Sequence, residues 1–322
     1  MRRWNALSDL PDDLSACAVT LGNFDGVHRG HRAVLEQLVA QARAVNATAV
    51  AVTFDPHPVS VLRPEQAPPL LGTLDQRLEL LGELGLDAVL VMEFTRDLAT
   101  WTPEEFVRRV FVEALHARLV VVGQDTRFGV RNSGDVETLR GLGEKFGFEV
   151  AVVSDQGGQT HATEVTRWSS SQARSLVVDG DVEAAADVLG RRHEVAGTVV
   201  HGDHRGRELG YPTANLCQDP DGLIPADGVY AGWLVRGGGE GERLPAAISV
   251  GTNPTFDGTQ RRVEAYVLDR TDLDLYGERV GLEFVQRLRP MYRFGDIEEL
   301  LTVMGEDVRR TRELLGVQGP QV

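Results

Sequence analysis

The chain has 322 residues, which is long for a single domain and predicts two domains. Hydrophobic residues make up 42% of it and charged residues 25%, so it can bury ordinary globular cores. Its 33 basic and 48 acidic residues give a net charge of −15, which would repel a phosphate backbone and argues against nucleic acid as a partner.

Two further classes of protein are disfavoured. No apolar run approaches the about 18 residues that a membrane helix needs, so we expect no membrane partner. The basic start of the chain has no apolar segment behind it, unlike a secretion signal. Cys17 and Cys217 lack metal-like spacing and predict free thiols in a reducing compartment, so the expected location is the cytoplasm.

Up to about residue 155, apolar runs alternate with helical patterns. Unbroken apolar strands between helices indicate a parallel sheet covered on both faces, hence an α/β domain. Ligands of such sheets bind at the carboxyl ends of the strands. The predicted strands are 18–21, 48–54, 88–93, 119–122 and 149–153, with helices after the first strand and at 73–84 and 103–116.

The pattern changes after a helical segment at 182–189, which ends at Gly190. Glycine, proline and short β-rich runs then dominate, which indicates an antiparallel barrel or sandwich. We predict a hairpin tip at 237–241 and a closing helix from 296 to about 315. The predicted strands are 194–200, 229–235, 246–250, 263–268 and 280–284.

A glycine-rich turn directly after the first predicted strand is the most informative stretch. Gly22, Gly26 and Gly30 would let the backbone approach a phosphate, and the following helix N-terminus favours an anion. His28 and His31 would reach the same anion from the first helical turn. Two histidines at this spacing are often only exposed helix caps, but the strand, glycine turn and helix around them favour the anion site.

Residues 28–31, His-Arg-Gly-His, resemble the His-x-Gly-His signature of the nucleotidyltransferase superfamily. A second signature, Ser-Ser-Thr-x-x-Arg, is matched by residues 169–174, with Ser171 in place of threonine. Serines before a helix are also common caps. The resemblance implies a Rossmann-like domain whose helix amides and hydroxyls hold ATP. The implied ATP-binding residues are Gly22, Phe24, Asp25, Gly30, Ser169, Ser170, Ser171 and Arg174.

Residues 197–215 resemble the phosphate loop of riboflavin kinases, whose Pro-Thr-Ala-Asn marker occurs here at 212–215. From about Val19 to the last helix, the motifs together resemble the family of bacterial bifunctional riboflavin kinase/FMN adenylyltransferases, often called FAD synthetases. Further stretches that match in order are 227–231, 249–256, 264–269, 275–277 and 288–290.

This resemblance implies two consecutive reactions: ATP phosphorylates riboflavin to FMN, and a second ATP adenylylates FMN to FAD with release of pyrophosphate. It implies an adenylyltransferase domain at 1–186 and a riboflavin kinase barrel domain with its closing helix at 187–322. The expected partners are ATP, riboflavin, FMN and FAD, with Mg²⁺ accompanying ATP. A homo-oligomer is possible, and the sequence does not decide the oligomeric state.

In the kinase half, Thr213 and Asn215 offer uncharged oxygens to Mg²⁺. Glu264 breaks an apolar strand face and is the candidate general base that takes the riboflavin hydroxyl proton. Spacing alone favours an outward-facing strand carboxylate at this position, and the resemblance reverses that preference. The implied ATP-binding residues are Gly202, Arg205, Gly206, Arg207, Gly210, Thr213 and Asn215.

Five residues are weaker candidates for contacts with flavin or nucleotide. In the first half these are His57, which alternatively holds a turn between two prolines, and Asp125 and Arg127 in the polar loop at 123–129. In the kinase half they are Asn253, which alternatively shapes a turn, and Arg289, which alternatively forms a surface ion pair. Asp25 has a loop-shaping alternative as well.

Two other functions remain open at this stage. An adenylyltransferase for another phosphorylated cofactor precursor, such as phosphopantetheine or nicotinamide mononucleotide, would leave the barrel without a purpose. A flavin-responsive regulatory protein with one inactive domain would not need two complete sets of motifs.

Overall fold

The computed structural model describes residues 1–154, 157–159, 164–165, 167–202, 209–237, 241–252, 261–292 and 294–318. Contacts between residues divide the chain into two compact units. The first holds most of the chain up to Ser170, and the second holds residues 70–72 and most of the chain from Ser171 onward. The predicted functional boundary between residues 186 and 187 stays a prediction.

The first unit contains β1 (Arg2–Trp4), β2 (Cys17–Leu21), α1 (Arg29–Ala44), β3 (Thr48–Asp55), α2 (Pro58–Leu62), α3 (Leu74–Glu83), β4 (Ala88–Glu93), α4 (Pro103–Phe106), β5 (Ala117–Gly123), α5 (Val136–Phe146) and β6 (Glu149–Val153), with a two-stranded ribbon of β7 (Gly158–Gln159) and β8 (Glu164–Val165). Six of the strands form a parallel sheet in the order β1-β4-β3-β2-β5-β6. The predicted α/β architecture is therefore confirmed, although β1, α2 and α5 were not among the predicted elements.

Each face of this sheet is buried in its own hydrophobic core. Successive residues of β2 show the alternation, because Ala18 lies in one core and Val19 in the other. Leu35 of α1 packs in the same core as Ala18, whereas Phe111 packs in the core of Val19. Both faces of the strands are mostly apolar for this reason, and the charged residues of the strands lie at or next to the strand ends.

The helix predicted at 103–116 has two hydrogen-bonding patterns. After α4, residues Val107–Ala114 form a π-helix, in which the backbone N–H of Leu115 donates to the carbonyl oxygen of Val110. The wider turn still buries Val110 and Phe111 against the sheet. An apolar period near four residues does not distinguish these two hydrogen-bonding patterns.

The second unit contains α6 (Ser170–Asp179), α7 (Val182–Leu189), β9 (His193–Val200), β10 (Thr213–Leu216), β11 (Gly228–Arg236), β12 (Arg243–Thr252), β13 (Arg261–Val267), β14 (Arg279–Pro290) and α8 (Ile297–Leu315). Its strands form a closed antiparallel barrel in the order β10-β13-β12-β11-β14-β9, which confirms the barrel expectation. The last helix, α8, packs on β11, β12 and β14. Within the described part of the chain, every helix is too short or too polar to span a membrane.

The barrel core contains one buried histidine. His193 in β9 is 3% exposed, its ring stacks on Phe284, and its Nε2 donates to the carbonyl oxygen of Leu223 at 2.6 Å. Burial lowers the pKa of His193 from 6.5 to about 4, because the imidazolium is poorly solvated there.

This histidine predicts acid sensitivity of the barrel. Between pH 6.5 and pH 4, His193 binds a proton in the unfolded chain but stays neutral in the folded one. The free energy of unfolding therefore falls by about 3 kcal/mol as the pH is lowered through this window. Urea unfolding followed by Trp233 fluorescence, with the other three tryptophans replaced by phenylalanine, measures it. In the same background, His193→Gln keeps a donor for Leu223 and should remove this part of the pH dependence; an unchanged slope would contradict the prediction.

Candidate functional site

Two stacked histidines lie where β2 meets α1. His28 is the N-cap of α1, and its Nδ1 accepts from the backbone N–H of His31 at 3.4 Å. The two rings stack with their centroids 3.7 Å apart, and Phe24 meets His31 edge-on at 5.2 Å. The structure thus places both predicted histidines together, at a helix N-terminus suited to an anion.

Glycine is required at two positions of this turn. A Cβ on Gly30 would lie 3.1 Å from the ring of His28, so a side chain there would push the imidazole away. Gly26 has a φ of 74°, which side-chain-bearing residues rarely adopt. These glycines let the histidine pair and the backbone amides face the same space.

His31 is electrically neutral near pH 7. Burial first, then His28 and then Arg77 hold the pKa of His31 well below its ordinary value of 6.5. A neutral imidazole donates one N–H and accepts at its other nitrogen. An arriving phosphate would raise this pKa, so the group can gain positive charge as substrate binds.

The start of the second signature lies beside this turn. The Ser170 hydroxyl donates to the backbone carbonyl of Asp25 at 2.8 Å, and Asp25 itself is 3% exposed. The guanidinium of Arg29 lies 5.7 Å above the ring of Trp168, which directly precedes Ser169. Ser171 and Arg174 lie in α6 and belong to the second unit.

His57 adopts the turn-holding geometry. It is the N-cap of α2, its Nδ1 accepts from the backbone N–H of Val59, and its Nε2 lies 3.3 Å from the side-chain amide of Asn23. It therefore ties the loop after β3 to the glycine turn.

Two ion pairs occupy the polar loop at 123–129. Arg167 pairs with Asp125, and Arg127 pairs with Asp135 at 3.1 Å. Both pairs are about half exposed, so each contributes little stability and can rearrange around a ligand. Sequence reasoning missed Arg167, although its place two residues before the serine motif was a signal.

Three of the residues predicted for the kinase half, Thr213, Asn215 and Glu264, lie on the outer face of the barrel. Along β10, Ala214 and Leu216 are buried, so Thr213 and Asn215 point the other way. Asn215 is paired in register with Glu264 of β13, which in turn is opposite Ser249 of β12. The structure therefore brings Asn215 and Glu264 together, on neighbouring strands.

Gly202 and Asn215 are in close contact. A Cβ on residue 202 would lie 2.6 Å from the amide nitrogen of Asn215, so a larger residue there would displace the Asn215 side chain. The same amide donates to the hydroxyl of Thr213 at 3.3 Å. Gly210 has a φ of 84°. Arg205, Gly206, Arg207 and Asn253 lie outside the described residues.

The donor set on this face consists of hard oxygens. Thr213 and Asn215 supply neutral oxygens, and Glu264 adds a carboxylate, which fits an Mg²⁺ ion that also keeps phosphate and water ligands. Among the described residues, no group of three or more histidine, cysteine, aspartate or glutamate side chains is placed to hold a metal.

Arg289 forms an ion pair that is nearly buried, whereas the alternative hypothesis placed such a pair on the surface. Its guanidinium donates to both carboxylate oxygens of Asp307 in α8, with Nη2 to Oδ2 at 2.8 Å. The two side chains are 14% and 7% exposed. The guanidinium carbon of Arg289 lies 4.9 Å from the ring centroid of Tyr292 and 5.5 Å from that of Phe294.

A stacked aromatic pair next to Gly202 was missed. His201 and Tyr276 stack with their centroids 3.9 Å apart, and Tyr276 is 38% exposed. Residues 275–277 were noted as a motif, but nothing in the sequence alone showed that Tyr276 meets His201.

Comparisons with known proteins cover both units. A family model described as FAD synthetase matches residues 10–167, and one described as riboflavin kinase matches residues 189–315. Two relatives are described as bifunctional riboflavin kinase/FMN adenylyltransferase. That of Escherichia coli K12 is 35% identical over 98% of this chain and 97% of its own length. That of Pseudomonas fluorescens is 36% identical over 98% of each.

One solved structure has a similar fold along the chain. It is described as a macrolide-efflux protein from Streptococcus pneumoniae and matches with a TM-score of 0.84 and 30% identity. The match covers 96% of this chain and 98% of that one.

Proposed function

This chain belongs to the family of bifunctional riboflavin kinase/FMN adenylyltransferases, and we propose that its two sites divide the family's two reactions. The chain makes FMN from riboflavin and FAD from FMN, each time with ATP. We assign adenylyl transfer to the glycine turn, within a functional domain at 1–186, and phosphoryl transfer to the outer barrel face, within 187–322.

The stacked pair of His28 and His31 at the start of α1 is the observation that carries the adenylyl-transfer assignment. The phosphate of FMN attacks the α-phosphate of ATP and pyrophosphate leaves, with no covalent enzyme intermediate. The two imidazoles and the helix N–H groups stabilise the charge that develops there.

Other residues of this site are proposed to bind the two substrates. We assign the ATP contacts to Gly22, Phe24, Asp25, Gly30, Ser169, Ser170, Ser171 and Arg174, and the flavin or nucleotide contacts to His57, Asp125 and Arg127.

On the barrel, Glu264 accepts the proton of the riboflavin 5′-hydroxyl while that oxygen attacks the γ-phosphate of ATP. Thr213 and Asn215 hold Mg²⁺, which neutralises phosphate charge when it is bound with ATP. Further ATP contacts are assigned to Gly202, Arg205, Gly206, Arg207 and Gly210, and flavin contacts to Asn253 and to Arg289 in its pair with Asp307.

We further propose that the enzyme works in the cytoplasm without a nucleic-acid or membrane partner. Incubation of the purified protein with riboflavin, ATP and Mg²⁺, followed by chromatography of the flavins, tests both assignments. FMN and FAD together support them. FMN alone would contradict the assignment to the glycine turn, and neither product would overturn the whole proposal.

Replacement of His31 tests the separation of the two sites. In His31→Ala, FAD formation should fall by about 10²- to 10³-fold, because a group that stabilises the α-phosphate is lost. FMN formation by the same protein should stay near the wild-type rate. His116→Asn, at an exposed position of the same unit with a left-handed backbone, is the matched control. Equal loss of both activities in folded His31→Ala would refute separate sites.

Glu264→Gln tests the general base. The amide keeps the size of the carboxylate but cannot take a proton, so kcat for FMN formation should fall by roughly 10²- to 10⁴-fold. The KM for riboflavin should change little, and FAD formation from supplied FMN should persist, because its nucleophile is already anionic. Glu298→Gln, at an exposed position of α8, is the control. A kcat within a few-fold of wild type would show that Glu264 is an ordinary strand carboxylate.

A further inference from the structure

A buried arginine acts electrostatically on His31 and belongs to neither set of assigned residues. Arg77 in α3 is 3% exposed, and its Nη1 donates to the Thr53 hydroxyl at 3.3 Å and to the carbonyl oxygen of Phe54 at 3.0 Å. Its Nε and Nη2 are shielded from solvent and have no hydrogen-bond partner among the described residues. A cation so placed costs folding free energy, which calls for a reason beyond stability.

A chain of hydrogen bonds runs from Arg77 to the glycine turn and to His57 at the start of α2. The Thr53 hydroxyl, itself fully buried, donates to the carbonyl oxygen of Asn23 at 3.2 Å. The side-chain amide of Asn23 lies 3.3 Å from Nε2 of His57. Three segments are thereby joined to α3: the glycine turn, the end of β3 and the start of α2. Of these, the glycine turn and the start of α2 carry residues assigned to the adenylyl-transfer site.

The charge of Arg77 also acts on the site. The titratable or charged groups that influence His31 are His28, on the same turn, and Arg77, from α3. Arg77 in turn faces Asp25 of the glycine turn and Asp55 at the end of β3. A fixed positive charge in a poorly solvated position acts strongly on its neighbours, because little water screens it.

We propose that Arg77 is a positioning residue for adenylyl transfer, which holds the ends of β2 and β3 through Thr53 and places a fixed positive charge behind His31. This inference rests on the proposed function of the glycine turn. Arg77 touches neither substrate nor the reacting phosphate, since its unpaired nitrogens are enclosed. It fixes where Asn23 and His57 lie, and it favours negative charge at the α-phosphate through the neutral His31.

Two variants separate the geometric role from the electrostatic one. Arg77→Met removes the charge and keeps much of the bulk, so we expect kcat for FAD formation to fall by roughly 10²-fold. The pKa of His31 should rise, because a repelling cation is gone. Thr53→Val is isosteric and keeps the charge, so kcat should fall while the pKa of His31 stays unchanged.

The measurements are FAD formation from supplied FMN and an NMR titration of isotope-labelled histidines, with the His31 signal identified by its absence in His31→Asn. FMN formation by the same proteins monitors the other unit, and Arg140→Met is the exposed-arginine control. Wild-type kcat and an unchanged His31 titration in Arg77→Met would overturn the proposal. If that variant does not fold, Thr53→Val decides, and wild-type kcat in Thr53→Val would overturn the proposal equally.

Failure of the proposed function has a different signature. Were His31→Ala to make FAD at the wild-type rate, the glycine turn would not be the site. The titration of His31 in Arg77→Met would still report whether the arginine charge controls that imidazole.

Discussion

The alternation of side chains along a β-strand determines where both proposed sites of this protein lie. In the first unit both strand faces are buried, so groups able to do chemistry are forced to the strand ends, as with His28 after β2 and His57 after β3. In the barrel, β10 and β13 bury only their inner face, so Asn215 and Glu264 can lie side by side on the outer face of these two strands. One geometric rule thus yields an edge site and a face site.

Much of this architecture could be predicted from the sequence, because apolar runs and glycine-rich turns are local signals. The strand β10 could not, since Pro-Thr-Ala-Asn has the composition of a loop and becomes a strand only by pairing with β9 and β13. The burial of Arg77 could not be predicted for a similar reason. An arginine inside a helix is expected to be exposed, and its 3% exposure arises from tertiary packing. The pairing of Asp125 with Arg167 likewise joins residues 42 positions apart.

The chain and the nucleotides it is proposed to bind are both negatively charged, so binding requires a local region of positive potential. A net charge of −15 would repel nucleotides, yet the glycine turn lies at the positive end of α1, and buried Arg77 interacts electrostatically with Asp25 and His31. These contributions come from backbone dipoles and an enclosed guanidinium, so they are only weakly screened by salt. Surface acidity and anion binding are therefore compatible in one molecule.

The pair between Arg289 and Asp307 has a consequence for how the protein is made on the ribosome. Asp307 follows Arg289 by 18 residues, so β14 emerges before the carboxylate that neutralises its guanidinium. Until α8 is synthesised, the hydrated arginine opposes burial between Tyr292 and Phe294. The barrel therefore reaches its final packing only after α8 has been synthesised.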